Sequence, residues 1–119
     1  MELAVHGPVA VVTCHGELDT ADDALGTLLT ATVEQGHRDI VVDMLDVTFI
    51  DSSVIGALVG TAVDLEPDGS IRLVYTHHMI GRVLQICGLA EQFPQYPTVA
   101  AALREQPRRD QDTRAEGSA

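Results

Sequence analysis

Short β-branched runs alternating with amphipathic helical stripes predict one α/β domain, a mixed and mainly parallel sheet of four to five strands under about four helices. Three observations carry that reading. Strand-like and helix-like segments alternate from residue 9 onward, which implies parallel strands joined by helical crossovers. Of the 119 residues 45% are hydrophobic, yet the only aromatics are Phe49, Phe93, Tyr75 and Tyr96, so the core must be aliphatic. The length is that of a single domain able to bury roughly two thirds of its unfolded surface.

The elements follow in order. Alternation at Leu3 and Val5, then the apolar 9–14 run, predicts two strands joined by a tight turn at Gly7-Pro8. After Gly16-Glu17-Leu18-Asp19, the segment Thr20-Ala21-Asp22-Asp23 has the form of a capping box with Thr20 as N-cap. Ala21, Leu25, Leu28 and Leu29 keep one-face helical spacing, and Gly36 supplies a stop. Ile40-Val41-Val42 reads as a strand covered on both faces, with residues 43–51 leaving it. A second helix is predicted to begin near Ser53, with Ile55, Leu58, Val59 and Ala62 inward. Pro67-Asp68-Gly69 is a turn, and Ile71, Leu73 and Tyr75 mark another strand. A third helix from His78 carries Met79, Ile80, Val83, Leu84 and Cys87 as its apolar stripe and stops at Gly88. Phe93-Pro94-Gln95-Tyr96-Pro97 is extended, and Thr98 caps a last short helix through Leu103. The domain therefore spans residues 1–105; the tail, 106–119, lacks any large apolar side chain and is expected to be disordered.

Charge narrows the function classes. Eighteen acidic residues against seven Arg and no Lys give a net charge of −11, which repels phosphate backbones and anionic lipid. No nucleic acid and no membrane partner is expected. The N-terminal residues show no signal peptide, and the longest apolar run, 54–63, is half of the ~20 residues a membrane span needs. A cytoplasmic location follows as an expectation. Cys14 and Cys87 lie in apolar stretches without CxxC spacing and are expected to be buried hydrophobes, so neither a disulfide scaffold nor a metal site is predicted. No cofactor is implied.

Phe49-Ile50-Asp51-Ser52-Ser53-Val54 sits where a strand passes into the second helix. Ser and Asp suit helix N-termini whether or not anything binds, because the first backbone N–H groups lack intrahelical partners. The outward positions of that helix are more informative: Ser53, Gly56, Ala57, Gly60, Thr61 and Asp64. A merely solvated helix face avoids Gly, which costs about 1 kcal/mol relative to Ala. Gly56 and Gly60, one turn apart, leave a smooth strip for close approach by another backbone, from this domain or from a partner.

Taken together, Gly16-Glu17-Leu18-Asp19, Val41-Val42-Asp43, Val47-Thr48-Phe49-Ile50-Asp51-Ser52-Ser53 and Ile55-Gly56-Ala57-Leu58-Val59-Gly60 resemble the STAS domain of bacterial anti-sigma factor antagonists. The closing segment, from Arg82-Val83-Leu84 through Gly88-Leu89 and Phe93-Pro94 to Tyr96-Pro97-Thr98-Val99 and Ala102-Leu103, is similar to the family's, so the resemblance spans nearly all of residues 1–105. It implies a partner switch without enzymatic activity of its own. Family members bind an anti-sigma factor that is usually also a serine kinase and so free a sigma factor. The kinase phosphorylates the serine after the motif's Asp, here Ser52, and a serine phosphatase resets the switch. By the same resemblance Asp19 and Asp51 are the acids of the switch loop; the outward strip of the second helix, Ser53, Gly56, Ala57, Gly60 and Thr61, is the expected docking face. A monomer or weak dimer is expected. Two positions depart from the family. Val54 stands where the family has Gly, and a β-branched side chain there is expected to narrow the approach to Ser52 and slow its labelling. Residues 63–68 are acidic where many relatives carry Arg or Lys.

Other functions fit worse. A phospho-accepting receiver built on Asp43 needs a Lys, and the chain has none. A serine hydrolase needs a nucleophile elbow and a positioned His, and nothing in the sequence ties His6, His15, His37, His77 or His78 to Ser52. His77-His78 is expected to be an exposed loop pair whose rings diverge. The alternative kept open is a STAS scaffold or sensor module for protein–protein interaction without a phosphorylation cycle.

Overall fold

The computed structural model describes residues 1–18 and 24–104. Their order is β1 (Glu2–His6), β2 (Val9–Leu18), α1 (Ala24–Glu34), β3 (Asp39–Ile50), α2 (Ser52–Leu65), β4 (Ser70–Val74), α3 (His78–Ile86), β5 (Gln95–Tyr96) and α4 (Val99–Arg104). The five strands lie side by side in chain order. β1 is antiparallel to β2, and the remaining pairs are parallel. Gly7, at φ 60°, takes the left-handed position that the Gly7-Pro8 turn requires.

Period-two alternation divides the sheet into two faces. Val12, Cys14, Ile40, Val42, Met44, Ile71 and Leu73 pack with Leu25 and Leu29 of α1, Leu58 of α2, and Ile80 and Leu84 of α3. Each such fully buried aliphatic side chain adds about 2 kcal/mol of transfer free energy. On the opposite face, Val9, Val11, Val41 and Val74 pack with Ala102, Val99 and Leu103 of α4. Thr98 caps α4 by accepting from the Ala101 amide at 3.0 Å, and buried Arg72 donates to the Ala102 carbonyl, which ties α4 to the sheet.

The chain positions α2 from both ends. At its C-terminus, Arg38 donates to the Leu65 carbonyl at 2.7 Å. Gly69 follows because a Cβ there would stand 2.6 Å from the Arg38 carbonyl oxygen. At its N-terminus, β3 runs without a break into the helix. The expectation that residues 43–51 leave the strand is corrected: β3 continues to Ile50, paired with a β2 that is itself longer than the 9–14 run. Two register shifts, between Thr13 and His15 and between Gly16 and Glu17, keep the pair together until Leu18 meets Ile50. Gly16, at φ 75°, supplies the backbone conformation that such a bulge needs.

Other expectations need adjusting. Thr20, Ala21 and Asp23, the expected cap of α1, lie outside the described residues, as does the tail from 105. Cys14 is buried, but Cys87 is exposed because α3 turns only Ile80 and Leu84 fully inward and leaves Met79 and Ile86 in solvent. Burial, with the Asp43 carboxylate adding to it, pushes the Cys14 thiol up to about 12, so it stays protonated and inert at neutral pH. His77 and His78 do not diverge: their rings stack at 5.4 Å, while the His77 Nδ1 caps α3 by accepting from the Met79 amide at 3.2 Å.

Candidate functional site

Ser52 and Ser53 differ sharply although they are adjacent. Asp51 is the N-cap of α2, and its carboxylate accepts from the Ser53 amide at 2.9 Å and the Val54 amide at 3.3 Å. The same oxygen, Oδ1, accepts from the Ser53 hydroxyl at 2.6 Å. Ser53 is half-buried and its proton is committed to Asp51. Ser52 is exposed, and its hydroxyl makes no hydrogen bond among the described residues. This distinction rests on distances that the sequence did not supply.

The cap also changes the electrostatics expected at this helix end. The open N–H groups of a first turn normally welcome an anion. Here Asp51 already satisfies two of them, so a phosphate on Ser52 would meet a carboxylate one residue away instead of a vacant cradle. Repulsion, not capping, dominates.

Val54 corrects a further expectation. Its side chain is 4% exposed and packs in the core cluster with Leu58 and Ile50, so it points away from the exposed Ser52 and does not narrow the approach to it. Val54→Gly is therefore expected to leave the labelling rate of Ser52 unchanged and to destabilise the domain by roughly 2–3 kcal/mol through lost burial and helix propensity. Thermal unfolding checks this; a variant as stable as the parent would show that Val54 is not a core residue.

The inward stripe of α2 is Val54, Leu58, Thr61 and Leu65, with Ile55, Ala57, Val59 and Ala62 only partly buried. Thr61, expected on the outer face, is 6% exposed, and its hydroxyl donates to the Ala57 carbonyl at 2.8 Å. Satisfying its one polar group within the helix lets Thr61 face the core. Of the expected docking residues, Gly56 and Gly60 are exposed, and a Cβ at either would meet nothing within 4 Å among the described residues. Ala57 and Ser53 flank them half-buried. Asp19 lies outside the described residues, although the strand pairing ends one residue before it, with Leu18 beside Ile50.

One exposed aromatic was not anticipated. Phe49, the penultimate residue of β3, is 44% exposed, and Val63 on α2 is 59% exposed. Exposed large apolar side chains suit protein contact. A Phe among β-branched residues gave no sequence signal of exposure. Among the described residues, no group of three or more His, Cys, Asp or Glu is placed to hold a metal, and no helix is long and apolar enough to cross a membrane.

Comparison with known proteins adds independent information. The STAS domain family matches residues 1–102. The anti-sigma-B factor antagonist of Staphylococcus aureus is 35% identical over 78 residues, which are 64% of this chain and 72% of that protein. The crystal structure of an anti-sigma factor antagonist from Mycobacterium paratuberculosis superposes with a TM-score of 0.79 at 29% identity, covering 86% of this chain and 88% of that one. The Bacillus cell fate determinant SpoIIAA in its phosphorylated form shares the fold, with a TM-score of 0.68 at 24% identity over 86% of this chain and 95% of its own.

Proposed function

The chain belongs to the STAS domain family, and we propose that it acts as an anti-sigma factor antagonist switched by phosphate on Ser52. Docking uses the outer face of α2, with Gly56 and Gly60 as the strip of close approach and Ser53 and Ala57 flanking them on the same helix. The partner is an anti-sigma factor that is also a serine kinase, and a serine phosphatase resets the switch. The likeness to the staphylococcal antagonist supports the partner class. The single observation that carries the switch is the contrast at the cap: the Ser52 hydroxyl is exposed and uncommitted, whereas that of Ser53 is held by Asp51 at 2.6 Å.

The switch is electrostatic and steric. Phosphorylation adds about −1.5 to −2 charges, next to Asp51 and, by the family resemblance, near Asp19. Ser52 is exposed and belongs to neither core cluster, so the fold is kept while the docking face becomes strongly anionic and bulkier. Adding the chain to the preformed complex of its cognate anti-sigma and sigma factors should release the sigma factor, and prior phosphorylation should prevent that. Binding without any labelling would leave a scaffold module; absence of binding would end the proposal.

A further inference from the structure

We infer that β1 is a self-pairing edge, and that the chain forms a two-fold dimer in which two five-stranded sheets join into one through their β1 strands. β1 is hydrogen-bonded to β2 on one side only among the described residues. Because the hairpin closes on His6 and Val9 through a two-residue turn, that pair exchanges both of its hydrogen bonds, and the pattern alternates from there. Ala4 and Glu2 thus direct their backbone groups to β2, while the N–H and C=O of Leu3 and Val5 point out from the edge. The usual protections of an edge are missing: β1 contains no Pro, no Lys and no bulge, and Val5 is 55% exposed.

The side chains select one register. If two β1 strands run antiparallel about a two-fold axis at Ala4, Leu3 of one copy faces Val5 of the other, so the outward backbone groups form four reciprocal hydrogen bonds. Leu3 packs on the main core and Val5, two residues on, shares its face of β1, so their contact in both copies would extend that core across the junction. On the other face the same register sets Glu2 opposite His6, twice by symmetry. Shifting it to centre on Leu3 or Val5 loses both pairs, and centring on Glu2 would oppose two carboxylates. The Glu2 side chain is 79% exposed and 4.0 Å from His15 Nε2, which leaves oxygens available to a second imidazole. This complementarity, an imidazole N–H donor set twice against a carboxylate acceptor, points to a second copy of the chain, not a different protein, as the occupant. The net charge of −11 on each copy opposes association and keeps it weak.

Sedimentation equilibrium of the full chain at physiological ionic strength tests this, together with amide exchange at low and high concentration. The expected result is a concentration-dependent rise from 12.7 kDa towards twice that mass, with the Leu3 and Val5 amides gaining protection as it rises. Val5→Pro removes an outward N–H that the β1–β2 ladder does not use, and should give a monomer with an unchanged circular dichroism spectrum. Glu2→Arg removes the acceptor from both symmetric pairs and His6→Glu sets carboxylates opposite each other, so each should weaken the dimer about tenfold, and the double variant, with Arg opposite Glu, should restore it. A chain that stays monomeric at every concentration overturns the inference. So does a dimer indifferent to Val5→Pro and to the charge swap, or Leu3 and Val5 protection that does not depend on concentration, which would mean that the chain's own tail covers the edge.

Discussion

Gly60→Arg is expected to lower affinity for the anti-sigma partner about tenfold or more while the domain remains folded. The argument starts from open space: a Cβ at Gly60 meets nothing within 4 Å among the described residues, and the same holds one turn earlier at Gly56. A helical Gly replaced by Arg gains about 1 kcal/mol of propensity, so the melting temperature should hold or rise by a few degrees. Binding should nevertheless fall, because a long cation fills the strip on which a partner backbone must close, and a loss of about 1.4 kcal/mol is already tenfold. Gly60→Ala is the control and should bind nearly as the parent does. Unfolding of the Arg variant alongside a tolerated Ala variant would mean that the strip packs against this chain's own residues, and the docking face would have to lie elsewhere.

Ser52→Ala should abolish kinase labelling and leave partner binding within about twofold, since it deletes one exposed hydroxyl that makes no hydrogen bond among the described residues. Ser52→Asp should weaken binding several-fold, less than phosphate does, because one carboxylate supplies about half to two thirds of the charge and a smaller volume. Ser53→Ala behaves differently for a structural reason. It removes the 2.6 Å hydrogen bond to Asp51 and so loosens the cap of α2, which should cost about 1 kcal/mol of stability while labelling persists. Isothermal titration against the partner and a labelling assay separate these outcomes. Retained labelling in Ser52→Ala, with loss in Ser53→Ala, would invert the assignment.

Much of the architecture was legible because the sequence punctuates it. Gly36 and Gly88 stop helices, Gly7-Pro8 closes the hairpin, and Pro67-Asp68-Gly69 turns the chain into β4. The length of β3 was hidden because Asp43 and Asp46 interrupt the apolar run. Both reside on a strand that β2 follows through two register shifts, and no local pattern records a bulge in a distant partner. The rotation of α2 was hidden for the opposite reason: the helix is apolar on nearly every side, so periodicity barely distinguishes an inward stripe of Ile55, Leu58, Val59 and Ala62 from one of Val54, Leu58, Thr61 and Leu65. Thr61 looked polar, yet its bond to the Ala57 carbonyl removes the cost of burying it. That rotation decides the meaning of Val54, a core residue and not an obstacle at the switch. The family motif pointed to Ser52; the reason it differs physically from Ser53 is carried by one carboxylate oxygen, which no reading of Asp-Ser-Ser could place.

Phosphopeptide mapping by mass spectrometry, after incubation of the chain with its cognate anti-sigma kinase and ATP, tests the switch most directly. One phosphate on Ser52 and none on Ser53 is the expected result, with the singly phosphorylated chain no longer binding the unlabelled partner. Phosphate on Ser53, or on neither serine while the two proteins still bind, would contradict it.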